Sequence, residues 1–160
     1  NIGEAELHAR LVFMMGGRAA EKLIFDEYSA GAEDDLKRAT QLARRMVTHW
    51  GMSDRVGPVA YRTAEEHPFL GKEIVEQREF SEHMAQLIDE EVSRILHESA
   101  DRARDLLDTN RDQLDQLANA LVEQEVLDNR EIEELIGPSP ARSISSNGKP
   151  ALSDAPAGHS

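Results

Sequence analysis

Apolar residues recur at helical spacing along most of this 160-residue chain, and that pattern constrains the fold more than any other feature. Three long stretches show it, at residues 7–24, 36–50 and 80–107, with apolar side chains three or four positions apart. The spacing predicts an all-α, mainly helical fold. The longest stretch contains Phe80, Met84, Leu87, Ile88, Val92, Ile95, Leu96, Ser99, Ala103, Leu106 and Leu107.

Two shorter helices are predicted beyond the longest one, at residues 114–122 and 132–136. Asp128 precedes the last of them, with Glu131 three positions later, which is the spacing of a helix capping box. Together with the long helix, the first of the two predicts a long helical hairpin over residues 80–122.

The helical periodicity is lost between residues 51 and 72, where a short irregular or extended loop is expected. Gly51 stands at its start and is expected to cap the preceding helix. Residues 56–61 combine apolar side chains with a Gly-Pro pair, which fits a brief extended segment.

Composition changes once, near residue 137. The segment 137–160 holds four of the six prolines and few large apolar residues, so it cannot bury enough surface to offset the entropy of ordering. We therefore expect a folded part at residues 1–136 and a disordered Pro/Ser/Gly-rich tail at 137–160.

The overall composition excludes several classes of function. The 18 Lys and Arg residues against 31 Asp and Glu residues give a net charge of −13, which repels a nucleic-acid backbone. The lack of cysteine excludes disulfides, thiol nucleophiles and cysteine zinc sites. No apolar run approaches the ~20 residues of a membrane span, so the chain itself is expected to be soluble. The start at Asn1, without an initiator Met, is expected for a piece of a longer protein.

The six histidines form no helical His-x-x-x-His pair that would place two imidazoles on one metal ion. His97 and Glu98 imitate the start of a His-Glu-x-x-His motif, but Asp101 stands where the second histidine belongs. In so charged a helix this similarity is expected by chance. Serine-nucleophile elbows and phosphate-binding loops are also missing from the sequence.

Two features stand out from an otherwise ordinary helical pattern. The first is the pair Gly16-Gly17, because each mid-helix glycine costs about 1 kcal/mol relative to alanine. Close approach of another backbone explains the pair as well as a break between two short helices does. The second is the acidic run from Glu33 through Asp34 to Asp35 at a helix start. First-turn charge explains this run, and so does a rigidly aimed metal ligand; the spacing alone does not decide.

Several motifs in one collinear order resemble FtsH-type ATP-dependent zinc metalloproteases. Residues 11–25 (LVFMMGGRAAEKLIF) are similar to the family's LGGRAAE helix, and residues 31–36 (GAEDDL) to its GA-x-[ND]-D-L motif. Residues 43–53 (ARRMVTHWGMS) resemble its ARxMVTxWGMS segment. The likeness extends over about residues 5–136, and therefore implies a C-terminal part of the FtsH peptidase domain.

The resemblance implies roles for four residues. The third zinc ligand of the family is the aspartate of the [ND]-D-L motif, which falls on Asp35. Asp34 takes the preceding Asn/Asp position and is expected to support the site. The helix with Gly16 and Gly17 is expected to pack near the active-site helix, in line with close approach.

The catalytic His-Glu-x-x-His helix of the family is expected upstream of Asn1, so no catalytic residue is assigned within this chain. The resemblance further implies an ATPase module that binds ATP and magnesium and an N-terminal membrane anchor, both outside these 160 residues. The parent is then a protein-quality-control protease that holds one zinc per subunit and forms a homo-hexamer. The resemblance also implies that the parent degrades unfolded or damaged membrane and soluble proteins.

Its expected place is the bacterial inner membrane, with the peptidase domain facing the cytoplasm. Because one carboxylate cannot hold a catalytic zinc ion, the isolated chain is predicted to be inactive. The alternative is a non-catalytic helical interaction module, either stand-alone or a degenerate homologue.

Overall fold

The computed structural model describes residues 1–61 and 80–139. Within these ranges all regular elements are helical, which confirms the all-α prediction, and no strand occurs. The elements are α1 (Glu4–Phe25), a short 3₁₀ turn (Ala30–Ala32), α2 (Glu33–Thr48), α3 (Glu82–Thr109), α4 (Arg111–Gln124) and α5 (Asn129–Ile136). Residues 80–122 accordingly contain two helices that are joined at Asn110.

The first compact unit, Asn1–Asn110, packs α1, α2 and α3 around one hydrophobic core. Each helix contributes a stripe of buried residues three or four positions apart, as the sequence pattern predicts. On α2 the stripe includes Ala39 and Ala43, whose small side chains are fully buried and let neighbouring helices approach closely. The core consists of Leu7, Leu11, Met15, Ala39, Ala43, Met46, Val47, Val56, Ile88, Val92, Ile95 and Ala103.

The second helix ends earlier than its apolar pattern predicts. His49, not Gly51, takes the C-cap position, and Trp50 lies past the helix end with Arg45 stacked 4.9 Å from its ring. Gly51 adopts a left-handed φ of +62°, and a Cβ there would stand 3.1 Å from the Cα of Pro58. Gly51 therefore turns the chain after the helix, a role for which glycine is required.

The loop after α2 is irregular over its described part, residues 51–61. The expected extended segment does not form a strand there. One backbone hydrogen bond ties its end to α2, from the Tyr61 N–H to the Thr48 carbonyl (2.6 Å). Residues 62–72 of the predicted loop lie outside the described residues.

The second compact unit begins at Arg111 and contains α4 and α5. Asp128 caps α5, because its carboxylate accepts a hydrogen bond from the Glu131 N–H at 2.8 Å. The capping box is one-sided, since Glu131 Oε2 has no hydrogen-bond partner among the described residues. Neither helix has a buried residue. The division at residue 137 stays a prediction, and most of the predicted tail (140–160) lies outside the described residues.

Candidate metal site around Asp35

Asp35 lies in the first turn of α2, beside the middle of α1. Its Oδ2 atom is 4.0 Å from the point where a Cβ of Gly17 would stand. The side chain is half-buried, yet no hydrogen bond or ion pair engages this carboxylate within the described part of the chain. Because a partly buried carboxylate gains stability from a cation or donor, the group is suited to bind one.

The Gly16-Gly17 pair lies inside one uninterrupted helix, so the interpretation as a break between two helices is wrong. Among the described residues no second backbone comes close to either glycine; the neighbour of a Cβ placed on Gly17 is the Asp35 carboxylate at 4.0 Å, an ordinary van der Waals distance. No atom of the described residues lies within 4 Å of a Cβ placed on Gly16. The bare surface at Gly17 leaves the Asp35 carboxylate uncovered on the α1 side.

The neighbouring acids differ from Asp35 in their surroundings. Glu33 is exposed and pairs with Lys37 of the next turn at 2.7 Å. Asp34 is exposed in the same first turn. Ala32 occupies the N-cap position and offers no side-chain cap. The acids therefore add favourable first-turn charge, but none of them acts as the N-cap of α2.

The turn between α1 and α2, residues 26–29, is held against α1 by polar contacts that the sequence did not reveal. The guanidinium of Arg18 stacks on the ring of Tyr28, with its carbon 3.8 Å from the ring centre. Glu21 accepts two hydrogen bonds from Ser29, one from the hydroxyl at 2.7 Å and one from the backbone N–H at 3.3 Å. These bonds lower the pKa of the Glu21 carboxyl. Polar and cation–π contacts, and not burial of apolar side chains, therefore hold residues 26–29 against α1.

A second carboxylate, Glu91 of α3, is buried and satisfied. Its side chain is 1% exposed, accepts a hydrogen bond from the Ser53 hydroxyl (2.6 Å) and pairs with Arg94 (2.7 Å). The bonds from Arg94 are the main cause of the lowered pKa of Glu91, with a further contribution from Ser53. A groove of about 440 Å³ opens beside this pair, and neither Asp35 nor Gly17 lines it.

The described histidines do not complete a metal site. His97 bonds through Nδ1 to the Ser93 carbonyl at 2.8 Å, while Glu98 pairs with Arg94. In residues 1–61 and 80–139 no group of three histidine or acidic side chains is arranged to hold a metal ion. Asp35 thus fits a metal as one oxygen ligand that needs further ligands from elsewhere. In the same ranges, no helix is long and apolar enough to cross a membrane.

Curated proteins similar to this chain are named as zinc proteases. The chain is 54% identical over 139 residues to ATP-dependent zinc metalloprotease FtsH 1 of Rhodopirellula baltica, covering 87% of this chain and 21% of that protein. FtsH 4 of Sphaerobacter thermophilus is 51% identical over 143 residues, which are 89% of this chain and 22% of that protein. FtsH of Nitrosococcus oceani is 50% identical over 135 residues, which are 84% of this chain and 21% of that protein. The chain thus spans about a fifth of the length of these relatives.

The family comparison agrees with the individual relatives. The sequence profile of peptidase family M41 matches residues 1–135, a range that contains α1 with its glycine pair and α2 with Asp35. The resemblance to FtsH-type proteases is therefore confirmed over almost the whole helical part. The chain belongs to peptidase family M41.

Proposed function

We propose that this chain is the C-terminal part of the peptidase domain of an ATP-dependent zinc metalloendopeptidase, in which Asp35 is the third zinc ligand. The observation that carries the proposal is the Asp35 carboxylate itself. It is half-buried, faces the bare surface of Gly17 and has no partner among the described residues. It also occupies the aspartate position of the motif over residues 31–36.

The chemistry of the ligand set supports this role. Catalytic zinc sites use three protein ligands and keep a fourth position for water, and carboxylate oxygens are accepted ligands. Asp35 supplies one of these ligands, and its backbone is held in place because it belongs to the first turn of α2. The other two would come from a His-Glu-x-x-His helix outside this chain. When bound, zinc supplies a Lewis acid and a water of lowered pKa.

Three further residues of this chain support the ligand in the proposed site. Gly17 carries no side chain that could cover the carboxylate, and Gly16 in the same turn leaves open space at the surface of α1. A metal-bearing helix can approach α1 closely where these glycines lie. Asp34, exposed beside Asp35, adds negative charge next to the cation.

For the parent protein we infer a homo-hexamer that degrades unfolded or damaged proteins at the cytoplasmic face of a bacterial inner membrane. ATP and magnesium would bind in its ATPase module, and an N-terminal anchor would attach it to the membrane. The exposed apolar residues of α4 and of the stretch after it support a subunit contact in this chain. Val122 is 83% exposed and Val126 is 77% exposed, so both apolar side chains are available for contact with another subunit.

The isolated chain is expected to be inactive, and this is directly measurable. Purified residues 1–160 should bind no stoichiometric zinc after dialysis and should not degrade casein. The same chain placed in the longer protein, with the His-Glu-x-x-His segment restored, should do both. Tight zinc binding with casein turnover by residues 1–160 alone would contradict the assignment of the missing ligands.

A non-catalytic helical interaction module is the second candidate. The exposed apolar side chains of the second unit favour it. The coding DNA upstream of Asn1 distinguishes the two. A His-Glu-x-x-His codon run supports the protease, whereas a start codon with a ribosome-binding signal directly before Asn1 supports the module.

A further inference from the structure

The turn between α1 and α2 folds back against the C-terminal half of α1. Lys22 Nζ donates to the Asp26 carbonyl at 2.9 Å and pairs with the Asp26 carboxylate at 3.1 Å. Tyr28 then lies against Arg18, and Ser29 bonds to Glu21. These contacts are all made with residues between Arg18 and Lys22, in the C-terminal half of α1.

These contacts occupy one face of α1, because residues three and four apart on a helix are neighbours. Arg18, Glu21 and Lys22 are spaced in this way, and Gly17 lies one turn before Glu21 on the same face. At a rise of about 1.5 Å per residue, the Glu21 bond lies roughly 6 Å along the helix axis from Gly17. The face that holds the turn is thus the face that Asp35 approaches.

A short, mostly rigid segment connects the held turn to Asp35. Ser29 is the N-cap of the 3₁₀ turn Ala30–Ala32, which leads without a break into α2. Ala32 is buried and anchors that junction in the first unit. The core packing of α2 sets the general position of this helix. Because no side chain of the described residues holds the Asp35 carboxylate directly, its exact position relative to α1 depends also on how this connecting segment is fixed.

We propose that Tyr28 and Ser29, held by Arg18 and Glu21, are positioning residues that set the location of the Asp35 carboxylate beside Gly17. This proposal rests on the proposed function, in which Asp35 binds zinc. In this role the four are not ligands themselves; they act through the backbone of the 3₁₀ turn. A zinc ligand must be held within a few tenths of an ångström for tight binding, which gives this turn a purpose beyond joining two helices.

The test is the zinc affinity of the longer protein that carries this chain, measured by competition with a chromophoric chelator. Tyr28→Ala and Glu21→Ala should each lower the zinc affinity about tenfold, the low end of the effect of residues that orient metal ligands. Tyr28→Phe keeps the ring on Arg18 and should retain the wild-type affinity. Glu6→Ala is the matched control, since it removes an exposed ion pair with Arg10 from the same helix.

Two further measurements distinguish positioning from a purely structural role: the thermal midpoint of the zinc-free protein, since bound zinc itself raises the midpoint, and the visible spectrum of the cobalt-substituted protein. Positioning predicts an altered cobalt spectrum for Tyr28→Ala with a midpoint close to that of Glu6→Ala. Zinc loss that scales with the fall in midpoint across the variants would contradict it. Ser29→Ala is the smallest change and replaces a larger variant that fails to fold. Wild-type zinc affinity in all the folded variants among Tyr28→Ala, Glu21→Ala and Ser29→Ala would also overturn the proposal.

Asp35→Ala distinguishes this proposal from the one on which it rests. If Asp35→Ala loses zinc while Tyr28→Ala and Glu21→Ala keep it, Asp35 is a ligand and the turn does not position it. If Asp35→Ala keeps zinc at wild-type affinity, the ligand assignment is wrong and the positioning proposal is wrong with it.

Discussion

Two carboxylates on the helices of the first unit show opposite ways of placing a negative charge. Glu91 is 1% exposed, and its oxygens are engaged by Ser53 and by Arg94. Asp35 is half-buried and has no such partner in the part of the chain that the structure describes. Burial of a charge is tolerated when hydrogen bonds and an opposite charge compensate it, which is the case for Glu91.

The difference separates a structural carboxylate from a binding one. The bonds of Glu91 join α3 to the loop after α2, and Arg55 adds a longer contact at 3.8 Å. The carboxylate oxygens of Glu91 are thereby occupied by contacts within the fold. The oxygens of Asp35 remain for a ligand from outside the described residues. Removing Glu91 should therefore affect folding, whereas removing Asp35 should affect metal binding.

The largest effect on stability is expected for Glu91→Ala. The substitution leaves a cavity, takes away the acceptor of the Ser53 hydroxyl proton and breaks the ion pair with Arg94. The free energy of unfolding should therefore fall by about 3 kcal/mol. The lower end of the usual range applies because Arg94 is 43% exposed and regains water. Urea unfolding of the wild-type and variant chains measures it. A loss below 1 kcal/mol would show that the buried pair does not hold α3 to the loop.

Acid should weaken the wild-type protein through the same group. The pKa of Glu91 is lowered in the folded state, chiefly by Arg94. The contribution of Glu91 to the free energy of unfolding is therefore complete above the unfolded pKa of 4.5 and is lost as pH falls through the lower folded pKa. Urea unfolding between pH 7 and pH 3 should show a shallower pH dependence for Glu91→Gln. Glu21, whose pKa is also lowered, is present in both proteins and cancels in the difference. Identical slopes would contradict the assignment.

A smaller effect is expected for Ser53→Ala. The substitution removes two hydrogen bonds, the one that the Ser53 hydroxyl donates to Glu91 and the one that it accepts from the Val56 N–H at 3.2 Å. Because Arg94 remains on Glu91, the free energy of unfolding should fall by about 2 kcal/mol. Ser93→Ala is the matched control, because its hydroxyl lies on the exposed face of α3 near His97. It should change stability by less than about 0.5 kcal/mol. Equal effects at the two positions would remove the distinction between buried and exposed partners.

The smallest change in stability is expected for Asp35→Ala. No bond within the described residues is lost, and alanine favours the helix, which offsets the loss of first-turn charge. The free energy of unfolding of the isolated chain should stay within about 0.5 kcal/mol of the wild type. A loss as large as that of Glu91→Ala would make Asp35 a structural carboxylate too.

The sequence predicted the helices well because apolar spacing of three and four residues reports directly which face of a helix is buried. It placed the end of α2 too late, since Trp50 continues the apolar pattern although the chain has already turned before Gly51. Glu91 was missed, although a charged residue between Ile88 and Val92 on the buried face was a usable signal.

The candidate site needed more than spacing. A first-turn aspartate is common for electrostatic reasons alone, so only the resemblance over residues 31–36 distinguished Asp35 from its neighbours. The contact of Tyr28 with Arg18 and the nearness of Gly17 to Asp35 depend on the path of the turn between α1 and α2, which no periodicity encodes.

The most direct test of the ligand assignment is the zinc content of the longer protein that carries this chain, measured by mass spectrometry of metals after exhaustive dialysis. We expect one zinc per subunit in the wild type and in Asp34→Ala, and a small fraction of that in Asp35→Ala. The thermal midpoints of the two variants should be close to each other when both are measured without zinc, because bound zinc itself raises the midpoint. Zinc retained in full by Asp35→Ala would contradict the account.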